Sequence, residues 1–217
     1  MNLISGFPRS GLHRIAYNIY SMLVGTPVRI DRLHQLFPGL SEKCVLTDHD
    51  YYKNHAKACD VPADVKSVYT VRNPLDVVVS VIWFFTDRKA SLKQAMEYVV
   101  DGRRTRWKSD KLGFSRFGNW NDHVKGYVDR PNTLIVRYED YGCEQMEKIS
   151  EFFGLEWRPE IIEWNTIEHL RQEEKRTGPK MPHVNDGIIG KYKKVLSKQQ
   201  ITIVLERCSE MMQYFGY

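Results

Sequence analysis

No run of about 18 consecutive apolar residues occurs in this chain, which argues against a membrane-spanning helix. The first residues also lack a basic stretch followed by an apolar one, so no signal peptide is expected and the chain reads as cytoplasmic. The four cysteines, Cys44, Cys59, Cys143 and Cys208, are scattered, with no C-x-x-C pair and no histidine cluster beside them. Neither a zinc site nor a disulfide framework is therefore expected, and reduced thiols are the default. Charge of one sign is also scant. A formal charge of +5 suits an anionic ligand or an acidic acceptor but is too small to indicate nucleic-acid binding. Internal repeats are absent.

One further absence concerns chemistry. The window Gly6 to Gly11 has the glycine separation of a nucleoside triphosphate loop, but Leu12 and His13 stand where Lys and Ser/Thr belong. Without that lysine for the β- and γ-phosphates or that hydroxyl for Mg²⁺, ATP or GTP hydrolysis is disfavoured.

What is present is enough for one domain: 217 residues, 42% hydrophobic. Strand and helix signals alternate, which predicts a single α/β domain, residues 1–217, with a central, mainly parallel sheet flanked by helices. Strands are expected over Leu3–Phe7, Lys43–Thr47, Ser67–Val71 and Thr133–Tyr138. Pro74 starts the apolar run LDVVVSVIWFF, whose period fits helix or strand; the Asn-Pro start and the length favour helix. Further helices are expected near 91–101, 117–129, 144–153, 159–170 and 197–214. Two loops interrupt the order. Arg103–Arg116 carries six basic residues against one acid, interleaved with Trp107 and Phe114, and reads as a solvated loop. Arg171–Lys194 has three glycines, two prolines and no period, the composition of a lid or binding loop.

The stretch LISGFPRSGLHRIAYNIYSML places a glycine-and-proline turn between a short strand and an amphipathic helix. Such a turn offers backbone N–H groups and the positive end of a helix dipole to an anion, with Arg9 beside them. In YTVRNPLDVVVS, Arg72 ends a strand and Ser80 lies about two turns into the next helix. Ligands of open α/β sheets bind at the carboxyl ends of strands. Arg9 and Arg72 would thus gather at one edge, as opposed phosphates require.

These motifs resemble those of the sulfotransferases that use 3′-phosphoadenosine 5′-phosphosulfate (PAPS). GFPRSG is similar to the family's 5′-phosphosulfate loop, and VRNPLDVVVS to its 3′-phosphate motif. TLIVRYEDY and the preceding FGNWNDHVKGY resemble its later strand and helix. The resemblance covers roughly residues 4–154, implying a donor-binding core over about 1–154 and a helical and lid region over about 155–217. It implies donor-binding roles for Pro8, Arg9, Ser10, Gly11, Leu12, His13, Arg72, Ser80 and Tyr138. Beyond the core, NTIEHL resembles an adenine-side segment, bringing in Thr166, while Arg176 and Gly178 stand for the family's Arg-Lys-Gly clamp. The chain departs from the pattern at several positions. Arg9 replaces the loop lysine, Leu12 and His13 replace threonines, Arg14 replaces the adenine-stacking tryptophan and Thr177 the clamp lysine.

The implied activity is sulfuryl transfer from PAPS, leaving PAP, to a hydroxyl or amine of a small-molecule or glycan acceptor. No metal is implied, because a sulfuryl group carries less charge than a phosphoryl group. Arg9 would stabilise charge on the leaving oxygen. In VLTDHDYY, His49 lies near the position of the family's catalytic histidine and is the expected general base, with Asp48 or Asp50 orienting it or replacing it. The family's lysine two places before that histidine is Thr47 here. Two other readings stay open: a PAP- or nucleotide-binding protein without transferase activity, and a small-molecule kinase with an altered phosphate loop.

Overall fold

The computed structural model describes residues 1–30, 51–84, 91–103, 117–177 and 184–217. Its centre is a four-stranded sheet of β1 (Asn2–Gly6), β2 (Tyr51–Asn54), β3 (Lys66–Val71) and β4 (Thr133–Arg137). Every pairing is parallel, in the order β2-β1-β3-β4. The helices are α1 (Leu12–Val24), α2 (Pro74–Phe84), α3 (Leu92–Asp101), α4 (Trp120–Val128), α5 (Cys143–Phe153), α6 (Glu160–Trp164), α7 (Ile167–Thr177), α8 (Tyr192–Val195), α9 (Lys198–Arg207) and α10 (Ser209–Phe215). Among the described residues no helix is long and apolar enough to cross a membrane.

Successive strand residues point to opposite faces, and here both faces are covered. Ile4 and Val68 pack with Ile15, Ile19, Met146 and Ile149 of α1 and α5. Tyr69 and Val71 pack on the other face with α2, α3 and α4, through residues such as Val78, Val99 and Trp120. Fully burying side chains such as Val77, Val78 and Val81, all 0% exposed, contributes about 1.5–3 kcal/mol each. The ambiguous apolar run is helical because Asn73 caps it: its Oδ1 accepts from the Leu75 N–H at 2.9 Å, with Pro74 in the first turn. The helices α3 and α9 open on reciprocal capping boxes, Ser91 with Gln94 and Ser197 with Gln200.

Differences from the sequence expectations have local causes. The strand expected at Lys43–Thr47 lies outside the described residues. The edge strand β2 was not expected, because four residues of Tyr-Tyr-Lys-Asn are too few to show a period. The single helix expected over 159–170 is two, α6 and α7, separated at Asn165. That residue is buried and its side chain is spent on bonds to other elements: Oδ1 accepts from the Val28 N–H at 3.1 Å, and Nδ2 donates to Ser21 Oγ at 2.9 Å. Thr166 then accepts from the His169 N–H at 3.2 Å and starts α7. Residues 171–177, expected as loop, continue α7, held by the burial of Leu170 and Glu174 one turn apart. The helix expected over 197–214 likewise breaks at Cys208, between α9 and α10.

Candidate functional site

The site is built on the turn between β1 and α1. A Cβ at Gly6 would lie 2.8 Å from the Thr70 carbonyl oxygen, so only glycine lets this strand end approach β3 so closely. The Ser10 N–H donates to the Phe7 carbonyl at 3.0 Å and tightens the turn. Arg9 sits at φ 72°, a left-handed conformation that costs a non-glycine residue on the order of 1–3 kcal/mol. Bonds from β3 hold it there: Thr70 Oγ1 donates to the Ser10 carbonyl, and Arg72 Nη1 donates to the Arg9 carbonyl at 3.3 Å. Ser10 Oγ is buried with no hydrogen-bond partner among the described residues. A donor hydroxyl in that state fits a phosphate oxygen.

Arg9 and Arg72 do converge at the carboxyl edge of the sheet. Arg9 Nε donates to Ser80 Oγ at 3.1 Å, and its guanidinium lies 4.4 Å from the centre of the Phe84 ring. The Arg72 guanidinium stacks 4.2 Å above the Tyr138 ring, and its buried Nε has no partner among the described residues. Burial first, then the neighbouring Arg72, pulls the Arg9 guanidinium down to about 10, while the Glu174 carboxylate opposes the shift. Arg9 thus stays cationic at neutral pH, but the pair repels itself, and an anion between them would relieve that repulsion.

A cavity of about 410 Å³ opens in front of these groups. Of the residues expected in the site, Pro8, Arg9, Gly11, Leu12, His13, Arg72, Ser80 and Tyr138 border it. Ser10, Thr166 and Arg176 do not: Ser10 is fully buried, Thr166 caps α7, and Arg176 is tied to Glu173 at 2.7 Å. His49, Asp48, Asp50, Thr47 and Gly178 lie outside the described residues, as do residues 104–116 of the basic loop.

One feature of the cavity wall was not expected. His55, just after β2, borders the cavity, and its Nδ1 donates to the Gly6 carbonyl at 2.6 Å. That bond leaves Nε2 as the basic nitrogen of the neutral ring. Burial is the main cause that lowers His55 to about 4, so the ring is neutral at pH 7. Lys53, two places earlier, is lowered by burial to about 8. Lys53-Asn54-His55 thus repeats the lysine-then-histidine spacing that Thr47 and His49 lack, the one signal in the sequence that points to His55. The segment 184–191, within the loop expected to be a lid or binding loop, borders the cavity through residues such as Val184, Ile188 and Lys191. The Val184 N–H donates to the Glu174 carboxylate at 3.1 Å, and the Gly190 and Tyr192 N–H groups donate to Asp76 at 2.7 and 3.2 Å. Lys191 and Asp186 pair at 2.6 Å beside it.

Known proteins share this chain's family and its fold. The family model described as "Sulfotransferase domain" matches residues 3–216. A guinea pig (Cavia porcellus) 3-alpha-hydroxysteroid sulfotransferase is 26% identical over 165 residues, covering 69% of this chain and 53% of that protein. Mouse (Mus musculus) sulfotransferase 4A1 is 29% identical over 147 residues, covering 62% of this chain and 49% of that one. The chain spans about half the length of these curated relatives. Mouse sulfotransferase SULT7A1 complexed with PAP superposes with a TM-score of 0.69 at 17% identity, over 98% of this chain and 84% of that one. A retinol dehydratase in complex with androsterone and inactive cofactor PAP gives 0.72 at 13% identity, over 97% and 80%. With its parallel sheet, its arginine-bearing turn and a family model matched almost from end to end, this chain belongs to the sulfotransferase family.

Proposed function

We propose that this chain transfers a sulfuryl group from PAPS to a hydroxyl or amine of a small acceptor. One observation carries the reading: two arginines from different strand ends meet at one edge of a cavity, with buried donor atoms beside them that lack partners among the described residues. Ser10 and the N–H groups opening α1, with Arg9, suit the 5′-phosphosulfate; Arg72 and Ser80 suit the 3′-phosphate, and Tyr138 borders the nucleoside. When bound, PAPS would supply the sulfuryl group and a stable nucleotide leaving group.

Each residue's role follows from its chemistry. Arg9 stabilises negative charge on the leaving oxygen, at a position held rigid by the strained turn. His55, neutral and with Nε2 basic, accepts the proton of the acceptor hydroxyl or amine. Its low proton affinity rises when an anion binds in the cavity, because nearby negative charge favours the imidazolium. Phe84, Phe117 and Ile188 give the cavity apolar walls, which favour a small apolar acceptor over a glycan. The guinea pig relative is named for a hydroxysteroid and a structural neighbour holds androsterone, both apolar alcohols.

A second reading, PAP binding without transfer, draws on Leu12, His13 and Arg14 at places where the family has threonines and a tryptophan. Radiolabelled PAPS offered with a panel of alcohols, phenols and amines separates the two. Labelled product supports transfer, PAP binding without product supports the second reading, and Mg²⁺-dependent ATP turnover would overturn both. His55→Ala and His49→Ala run in parallel decide which histidine takes the proton.

A further inference from the structure

A buried histidine on α4 has no part in the reaction as described. His123 is 3% exposed, and α4, capped by Asn119 Oδ1 accepting from the Asp122 N–H at 2.8 Å, directs His123 and Tyr127 inward one turn apart. Both reach the backbone just after β2. His123 Nε2 lies 3.2 Å from the His55 carbonyl, which can only accept, so Nε2 carries the proton. His123 Nδ1 then accepts from the Tyr69 hydroxyl at 2.8 Å. The Tyr127 hydroxyl donates to the next carbonyl, Ala56, at 3.0 Å and accepts from Ser5 Oγ at 3.0 Å.

Two successive carbonyls, those of His55 and Ala56, are thus tied to α4, while the His55 ring is tied to Gly6 beside the anion-binding turn. The rings around His123 are Phe7, Tyr69 and Tyr127, with centroids 5.6, 5.7 and 5.7 Å away. An apolar side chain would fill that space without the desolvation that an imidazole suffers there. The imidazole therefore contributes two directional bonds, one on each nitrogen.

We propose that His123 is a positioning residue: through the His55 carbonyl it fixes the orientation and tautomer of the His55 ring, and so determines which of its nitrogens is basic. The proposal rests on reading His55 as the proton acceptor. Three links carry it: Tyr69 sets the tautomer of His123, His123 holds the backbone of His55, and that backbone holds Nδ1–H on Gly6.

Long-range proton–nitrogen spectra of the imidazoles test this whether or not an acceptor is known. In the wild type, the His55 signal should report the Nδ1–H form. His123→Phe keeps the ring packing and removes both bonds, and should lower the ratio of Nδ1–H to Nε2–H in His55 by at least about threefold. His123→Gln, which keeps a donor for the carbonyl, should restore most of it. Should His123→Phe fail to fold, Tyr69→Phe keeps the stacked ring, removes the hydroxyl and should lower the same ratio. PAP affinity by calorimetry should stay within about twofold in all variants, since none touches the phosphate groups. A wild-type His55 signal in a folded His123→Phe or Tyr69→Phe variant overturns the proposal, as does a matching loss of PAP affinity, which would make His123 general scaffold. Full transfer by His55→Ala would instead sink the assignment of the base and leave the tautomer result standing.

Discussion

Gly11→Ala adds one methyl group at the point where the anion-binding turn becomes α1, and two structural costs add there. The residue has φ +94°, where an L side chain costs about 1–2 kcal/mol. The new Cβ would also lie 2.9 Å from Tyr138 Cε2 and closer still to Cδ2, so the ring must move, at an overpacking cost of about 1–3 kcal/mol. The sum is about 2–5 kcal/mol of stability, read as a fall in the urea midpoint at constant slope. Function should suffer as well, because the same ring lies 4.2 Å beneath the Arg72 guanidinium. Calorimetry should show PAP affinity reduced at least tenfold, about 1.4 kcal/mol. Gly25→Ala is the control. It ends α1 at φ +68° with nothing within 4 Å of a new Cβ, so it should show the conformational cost alone and normal PAP binding. Equal stability loss in the two variants, with PAP affinity intact in both, would refute the close approach of Gly11 and Tyr138.

Arg72→Ala should remove most of the roughly 3–5 kcal/mol by which a charged fork and the Ser80 hydroxyl favour PAP, and leave AMP almost unchanged; comparable losses for both nucleotides would remove the 3′-phosphate from this arginine. Arg9→Ala should lower transfer by roughly 10²–10³ and PAP affinity by less, and an effect on affinity alone would demote Arg9 to docking. His123 is lowered from 6.5 to about 4 mainly by burial, so the unfolded chain binds a proton that the fold excludes. Its contribution to stability is complete above pH 6.5 and is lost as pH falls toward 4, by roughly 3 kcal/mol in all. Urea midpoints between pH 7.5 and 4 should fall less steeply in His123→Phe than in the wild type, and parallel curves would contradict the buried neutral ring.

What was legible in the sequence was local. Gly-Phe-Pro-Arg-Ser-Gly announces its turn because glycine reaches backbone conformations other residues avoid and proline fixes φ, and Arg72 marks a strand end because Asn73-Pro74 stops the strand one residue later. The gathering of Arg9, Arg72 and Ser80 followed from the parallel order of strands, which alternation of elements predicts. The site residues that went unread depend on distant partners. His55 matters because Gly6 comes within 2.6 Å of its ring from another strand and because α4 holds its carbonyl. Asp76 matters because the Gly190 and Tyr192 N–H groups, more than a hundred residues on, close onto it. Residues 171–177 read as loop because all their side chains are polar, and only Glu174, buried and bonded to Val184, shows which side of the helix is inside.

If the proposed donor is right, the paired arginines hold a nucleotide carrying both a 5′- and a 3′-phosphate. Calorimetry of the wild-type chain with PAP, AMP and Mg²⁺-ATP under one salt condition tests it most directly. The expected result is one PAP bound per chain, roughly 10²–10⁴ more tightly than AMP or ATP, from charged hydrogen bonds that contribute about 1.5–3 kcal/mol each. AMP or ATP bound as tightly as PAP would mean that no 3′-phosphate site exists at Arg72 and Ser80, and the proposed sulfuryl donor would fall with it.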